Sequence, residues 1–133
     1  MSIVVDASVA ACWCLPDEYS EIAETALEAA TLGAMVVPGL FAYELENVLL
    51  VNERRKRISA LQAREGMALI ARLTIDVDLG FTRETLLHIA RRHGLSVYDA
   101  AYVELALRQQ LPLATLDRKL ASAAMAEGLE VVA

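Results

Sequence analysis

Two periodicities alternate along the chain. Short apolar stretches at residues 3–5, 35–37, 75–77, 113–115 and 130–132 read as brief strands. Between them, residues 8–15, 19–32, 40–57, 59–73, 82–93, 97–110 and 118–126 carry apolar positions at helical spacing. In 19–32, Ile22, Ala26, Ala29 and Ala30 face one way, and Glu21, Glu24 and Glu28 the other. The punctuation agrees: Pro16 stops the first helix, Gly33 and Gly94 end two others, Pro38 closes the second strand, and Ser59 caps the fourth helix. Strands alternating with helices predict a three-layer α/β/α fold, with a central parallel sheet of about five strands covered on both faces. No repeat, low-complexity segment or linker interrupts residues 1–133, which read as a single domain.

Composition narrows the class. Hydrophobic residues make up 56% of the 133, which excludes disorder and suits a sheet buried on both faces. No apolar run reaches the length of a membrane span, and "MSIVVDASV" lacks the basic start and cleavage pattern of a signal peptide, so the expected location is cytoplasmic. Cys12 and Cys14, two apart in a helical segment, read as packing residues, and with His88 and His93 they form no zinc pattern. A net charge of −6, from 18 acids and 12 bases, argues against a general nucleic-acid coating protein but not against a local grip on phosphates. The bases cluster at Arg54, Arg55, Lys56 and Arg57, at Arg91 and Arg92, and at Arg118 and Lys119. Each cluster also reads as a solvated helix end.

Four acids stand in informative places. In a parallel α/β fold, ligands bind beyond the carboxyl ends of the strands. Asp6 follows the first strand directly, and Asp117 follows the fourth by two residues. Either alone could be a helix cap, since "VVDAS" and "TLDRK" both open helices. Glu44 resists that explanation. With "GLFAYELENVLLVNERR" stepped at ~100° per residue, Glu44 falls among Leu40, Phe41, Leu45, Val48, Leu49 and Val51, while Glu46 and Glu53 fall opposite. An unpaired charge in an apolar face costs several kcal/mol; an arginine partner is the structural alternative. Asn47 lies a turn further on. In "LSVYDAAYVELA", Ser96 and Asp99 approximate a capping box. Asp99 nonetheless neighbours Tyr102, Val103 and Ala106 at helical spacing, with Glu104 and Arg108 expected on the outer side. Acids gathered without a nearby base call for a cation, and an all-oxygen donor set points to Mg²⁺ or Mn²⁺.

These stretches, with "VPGLFAYELENVL" and "PLATLDRKLA", resemble the PIN-domain ribonucleases, particularly toxins of the VapC type, over essentially the whole chain. The resemblance implies that Asp6, Glu44, Asp99 and Asp117 are the catalytic, metal-holding acids. It implies that Ser8, Asn47 and Thr115 are polar positions shaping their surroundings. It further implies endonucleolytic cleavage of RNA, a homodimer, and a hetero-oligomer with a small cognate antitoxin protein. The expected chemistry is phosphodiester hydrolysis by activated water, in line with the leaving 3′ oxygen. Arg118, or the cluster of Arg54, Arg55, Lys56 and Arg57, is the expected phosphate contact. Asp76 and Asp78 match no motif. Two rival readings remain: a catalytically silent PIN-like binding module, and a receiver-type phosphoacceptor domain. The second would need paired acids after the first strand, where Asp6 stands without an acidic neighbour.

Overall fold

The computed structural model describes residues 2–132. The elements follow the predicted order: β1 (Ser2–Val5), α1 (Ala7–Cys14), α2 (Glu21–Leu32), β2 (Ala34–Pro38), α3 (Phe41–Arg54), α4 (Ala60–Ile70), β3 (Ile75–Asp78), α5 (Arg83–His93), α6 (Val97–Gln109), β4 (Leu113–Ala114), α7 (Arg118–Ala126) and β5 (Val131–Val132). All strand pairs are parallel, in the order β3-β2-β1-β4-β5. Receiver domains use a 2-1-3-4-5 order, so the topology removes that rival.

Strand β1 is central and apolar because both its faces are covered: Ile3, Val4 and Val5 are buried. The chain leaves β1 in one direction along the sheet and returns past it in the other. Right-handed crossovers then put α1 to α4 on one face and α5 to α7 on the opposite face. Helix α6 lies on β1, β2 and β4, with α5 packed outside it. Gly66 permits a close approach of α4 to α1, since a Cβ there would stand 2.7 Å from the Cβ of Cys14. Ser59 and Gln62 form a reciprocal capping box at the start of α4.

Helix α3 ends earlier than its periodicity predicts. Lys56 takes a left-handed backbone, with φ 61°. The turn swings Arg57 onto Asp17 (3.3 Å), Glu18 (3.2 Å) and the Asn52 side chain (2.8 Å). These contacts, on the α1–α2 connection and on α3 itself, stand in place of a further helical turn.

Candidate active site

Strands β1 and β4 end side by side, with Val5 opposite Ala114. Asp6 is the next residue, so its carboxylate starts where the sheet stops. It caps α1, its Oδ1 accepting from the backbone N–H of Val9 (3.1 Å) and the Ser8 hydroxyl (2.6 Å). Its Oδ2 accepts from the Thr115 hydroxyl at 2.5 Å. The same two hydroxyls fix the β4–α7 loop: Ser8 accepts from the N–H of Leu116 and Thr115 from that of Asp117, both at 3.0 Å. Asp6 is therefore held rigidly at 6% exposure. Burial raises its pKa above the ordinary 3.8, although the bonds from Ser8, Thr115 and Val9 oppose the shift.

Glu44 lies in the first turn of α3, half-buried beside the apolar stripe of Phe41, Leu45 and Leu49. Its Oε1 accepts from the hydroxyl of Tyr102, on α6, at 2.6 Å. Burial raises the Glu44 pKa, the charges of Asp99 and Asp6 add to that rise, and the Tyr102 bond opposes it. Tyr102 is buried, and both burial and the carboxylate push its own pKa far up, so it remains a donor. Asp99 sits half-buried in the first turn of α6. Ser96 accepts from its backbone N–H at 3.1 Å, so only half of a capping box forms. Asp117 is different: it is exposed, and its Oδ1 caps α7 through the N–H groups of Lys119 (2.9 Å) and Leu120 (3.1 Å).

Every one of these acids stands at a helix N-terminus, as a cap (Asp6, Asp117) or in the first turn (Glu44, Asp99). A helix dipole contributes only about 0.3–1 kcal/mol to such a charge. Among the described residues the ion pairs lie elsewhere, on Arg57, on Arg92 and His93, and on Arg108. Glu44 thus feels the charges of Asp99 and Asp6, and none of the three acids has an ion-pair partner among the described residues. An oxygen-only, partly buried, anionic donor set of this kind fits a hard divalent cation. It is not pre-closed: among the described residues no three His, Cys, Asp or Glu side chains form a ready-made coordination group.

The remaining expected residues spread further. Asn47 is exposed and lines a groove between α3 and α4 with Tyr43 and Arg64. Arg118 is exposed next to Asp117. Arg54 is ten residues beyond Glu44 on α3, roughly 15 Å along the axis. Arg55 and Lys56 lie further still, and Arg57 is occupied by its acids. Asp78 accepts from Arg108 (2.8 Å) and Gln109 (2.5 Å), a structural role. Tyr102 and Glu104 were not foreseen as polar partners. Tyr102 sits one turn from Asp99, the one local signal, but its partner is 58 residues away. Of Glu104 and Arg108, expected on the outer side of α6, Arg108 is exposed but Glu104 is only 1% exposed, and the two join a network with the β3–α5 loop. Helix α6 is covered by the sheet on one side and α5 on the other, so its wheel has little outer face.

Comparison with known proteins agrees with this geometry. The family model of the PIN domain matches residues 3–125. Ribonuclease VapC3 of Pyrobaculum aerophilum is 36% identical over 124 residues, covering 91% of this chain and 93% of that protein. Among solved structures, PAE2754 of Pyrobaculum aerophilum superposes with a TM-score of 0.70 at 21% identity, over 99% of this chain and 90% of that one. VapC20 of Mycobacterium tuberculosis, described as a Sarcin-Ricin loop cleaving toxin, superposes with a TM-score of 0.62 at 17% identity, over 91% and 94% of the two chains.

Proposed function

Because the chain belongs to the PIN domain family, we propose that it is a divalent-metal-dependent endoribonuclease and the toxin of a toxin–antitoxin pair. The observation that carries this reading is the set of carboxylates beyond the strand ends that have no cationic partner. Asp6, Glu44, Asp99 and Asp117 would hold Mg²⁺ or Mn²⁺. Such an ion, when bound, neutralises the acids, activates water and stabilises charge on the scissile phosphate.

The chain's own residues prepare that site. Ser8, Thr115 and the N–H of Val9 fix the Asp6 carboxylate, so that it does not swing away when its neighbours repel it. Tyr102 fixes one oxygen of Glu44 and leaves the other for a ligand. The N-termini of α1, α3, α6 and α7 add positive potential where an anionic substrate must approach acids. Purified protein is expected to cleave RNA with Mg²⁺ or Mn²⁺ and to stop in EDTA, with Asp6→Asn and Asp99→Asn inactive. Wild-type rates in both variants would overturn the assignment.

Two exposed apolar surfaces support the partner reading. One is the α3–α4 groove, with Tyr43, Leu50 and Met67; the other, on the β3 edge and the α6 start, carries Val77, Leu79, Phe81 and Tyr98. The first would receive a cognate antitoxin segment and the second a copy of this chain. Co-expression with a small protein encoded next to it should give a complex larger than a dimer; a lone monomer under both conditions would refute this part. No helix among the described residues is long and apolar enough to cross a membrane.

A further inference from the structure

We propose that the outward face of α5 is a binding track for the phosphate backbone of single-stranded RNA, leading to the acid cluster; the proposal rests on the ribonuclease reading and deepens it. The helix buries Leu86, Ile89 and Ala90 and exposes Arg83, Glu84, His88, Arg91 and Arg92. Glu84 is the sole acid in its sequence. The exposed residues, with Leu87, line a shallow groove of about 500 Å³. In a chain of net charge −6 this is a concentrated positive surface.

Its position ties it to the site. Helix α5 folds back against α6 through Gly94, whose left-handed φ of 63° makes the reversal. The last turn of α5 therefore lies at the tip of the hairpin whose other arm carries Asp99 in its first turn. Lys119, in the first turn of α7, donates to the Gly94 carbonyl at 2.7 Å and ties α7, which begins with Arg118, to the same tip. Arg83 and Arg91 are eight residues apart on this helix, roughly 12 Å along its axis.

Helix stability alone does not account for the pattern. Arg91 and Arg92 suit a helix C-terminus, but Arg83 occupies the first turn, where the dipole disfavours a cation. Among the described residues neither Arg83 nor Arg91 has an ion-pair partner, while Arg92 is shared with Glu127. A cation kept against local preference and left unpaired, lining one groove with others, is what a polyanion requires. The other basic cluster, at 54–57, lies toward the far end of α3 and has Arg57 already neutralised.

The test measures binding of a mixed-sequence single-stranded RNA by fluorescence anisotropy in EDTA, across a salt series. Each phosphate contact on a single strand contributes about 0.7 to the slope of log K against log salt. Arg83→Gln with Arg91→Gln should lower that slope by about 1.4 and raise KM with kcat unchanged. Arg83→Lys with Arg91→Lys should retain most of the binding, and neutralising Arg54, Arg55 and Lys56 should change little. Slope and KM equal to wild type in the Gln variant, or a loss on neutralising 54–56 instead, overturns the track. RNA that binds with an α5-dependent slope but is never cut upholds the track and removes the nuclease reading. RNA that is cut but ignores α5 removes the track alone, and absence of both binding and cleavage removes both.

Discussion

Glu44 and Glu104 are both glutamates drawn into the interior from helices that meet across the sheet, and their surroundings separate them. Glu104 receives the Arg108 guanidinium at 2.7 Å and the N–H of Thr82 at 3.3 Å. Arg108 continues to Asp78 and to the carbonyl of Gly80, so the group ties α6 to the β3–α5 connection. Glu44 has a neutral hydroxyl from Tyr102 and, beyond it, the negative charges of Asp99 and Asp6. A buried acid with a base is a joint in the fold. A half-buried acid facing other acids is incomplete without something the chain does not itself supply.

Removing the base should hurt the first, whereas removing the charge itself should spare the second. Arg108→Ala leaves Glu104 buried and unpaired, a change expected to cost about 3 kcal/mol, the low end of the usual range because the guanidinium is partly solvated. Glu44→Gln removes a repelled charge and should leave metal-free protein as stable as wild type or more so. Urea unfolding at neutral pH in EDTA measures both, and a larger loss for Glu44→Gln would erase the distinction. The next effect is that of a cation. A metal that binds only the folded state adds about 2.7 kcal/mol at a hundredfold excess over Kd. Wild type should therefore gain melting temperature with Mn²⁺, Asp99→Asn distinctly less, and Arg108→Ala as much as wild type. Equal gains in wild type and Asp99→Asn would return Asp99 to a capping role.

The same pair shows what the linear chain reveals. All twelve elements were legible because each helix or strand in this fold announces its period, and because Pro16, Gly33 and Gly94 mark where periods change. Glu44 was legible because α3 has one buried stripe, so a charge beside it stands out. Glu104 was not, because α6 is covered on two sides and a wheel with hardly any outer face sorts nothing. Asp6 and Asp117 were visible as caps, and caps they are; what the chain could not show is that one is buried behind two hydroxyls and the other exposed. The extra basic turn expected of α3 failed for a long-range reason, since Arg57 is claimed by acids 39 and 40 residues away.

Tyr102→Phe isolates the one bond that holds Glu44. The ring still fills its buried place, so only a hydroxyl is lost. A hydrogen bond to a charged group contributes about 1.5–3 kcal/mol, and here the lower end applies because Glu44 is half-buried and regains water. Stability should fall by about 1.5 kcal/mol, and the concentration of Mn²⁺ needed for half-maximal stabilisation should rise. A variant that melts and responds to Mn²⁺ as wild type does would make Tyr102 a filler of space.

The smallest effect is one of sign. Burial and neighbouring acids raise the pKa of Glu44, and burial raises that of Asp6, so folded protein holds those protons at a pH where the unfolded chain has released them. Where the folded state binds more protons, stability falls as pH rises. The fall starts near the unfolded value, 4.5 for Glu44 and 3.8 for Asp6, and ends once pH has passed the raised folded value. Asp78 acts in the opposite direction. Arg108 lowers its pKa, so its contribution is complete above 3.8 and disappears as pH falls through the lowered value. Metal-free protein should therefore gain stability up to the ordinary carboxylate range, through Asp78, and lose some of it just above, through Glu44 and Asp6. In EDTA, melting temperatures at half-unit steps from pH 3 to 7 should show the upper decline reduced in Glu44→Gln and the acid-side decline reduced in Asp78→Asn. If Glu44→Gln keeps the whole upper decline, Glu44 does not feel its acidic neighbours, and its likeness to Glu104 becomes greater than its difference.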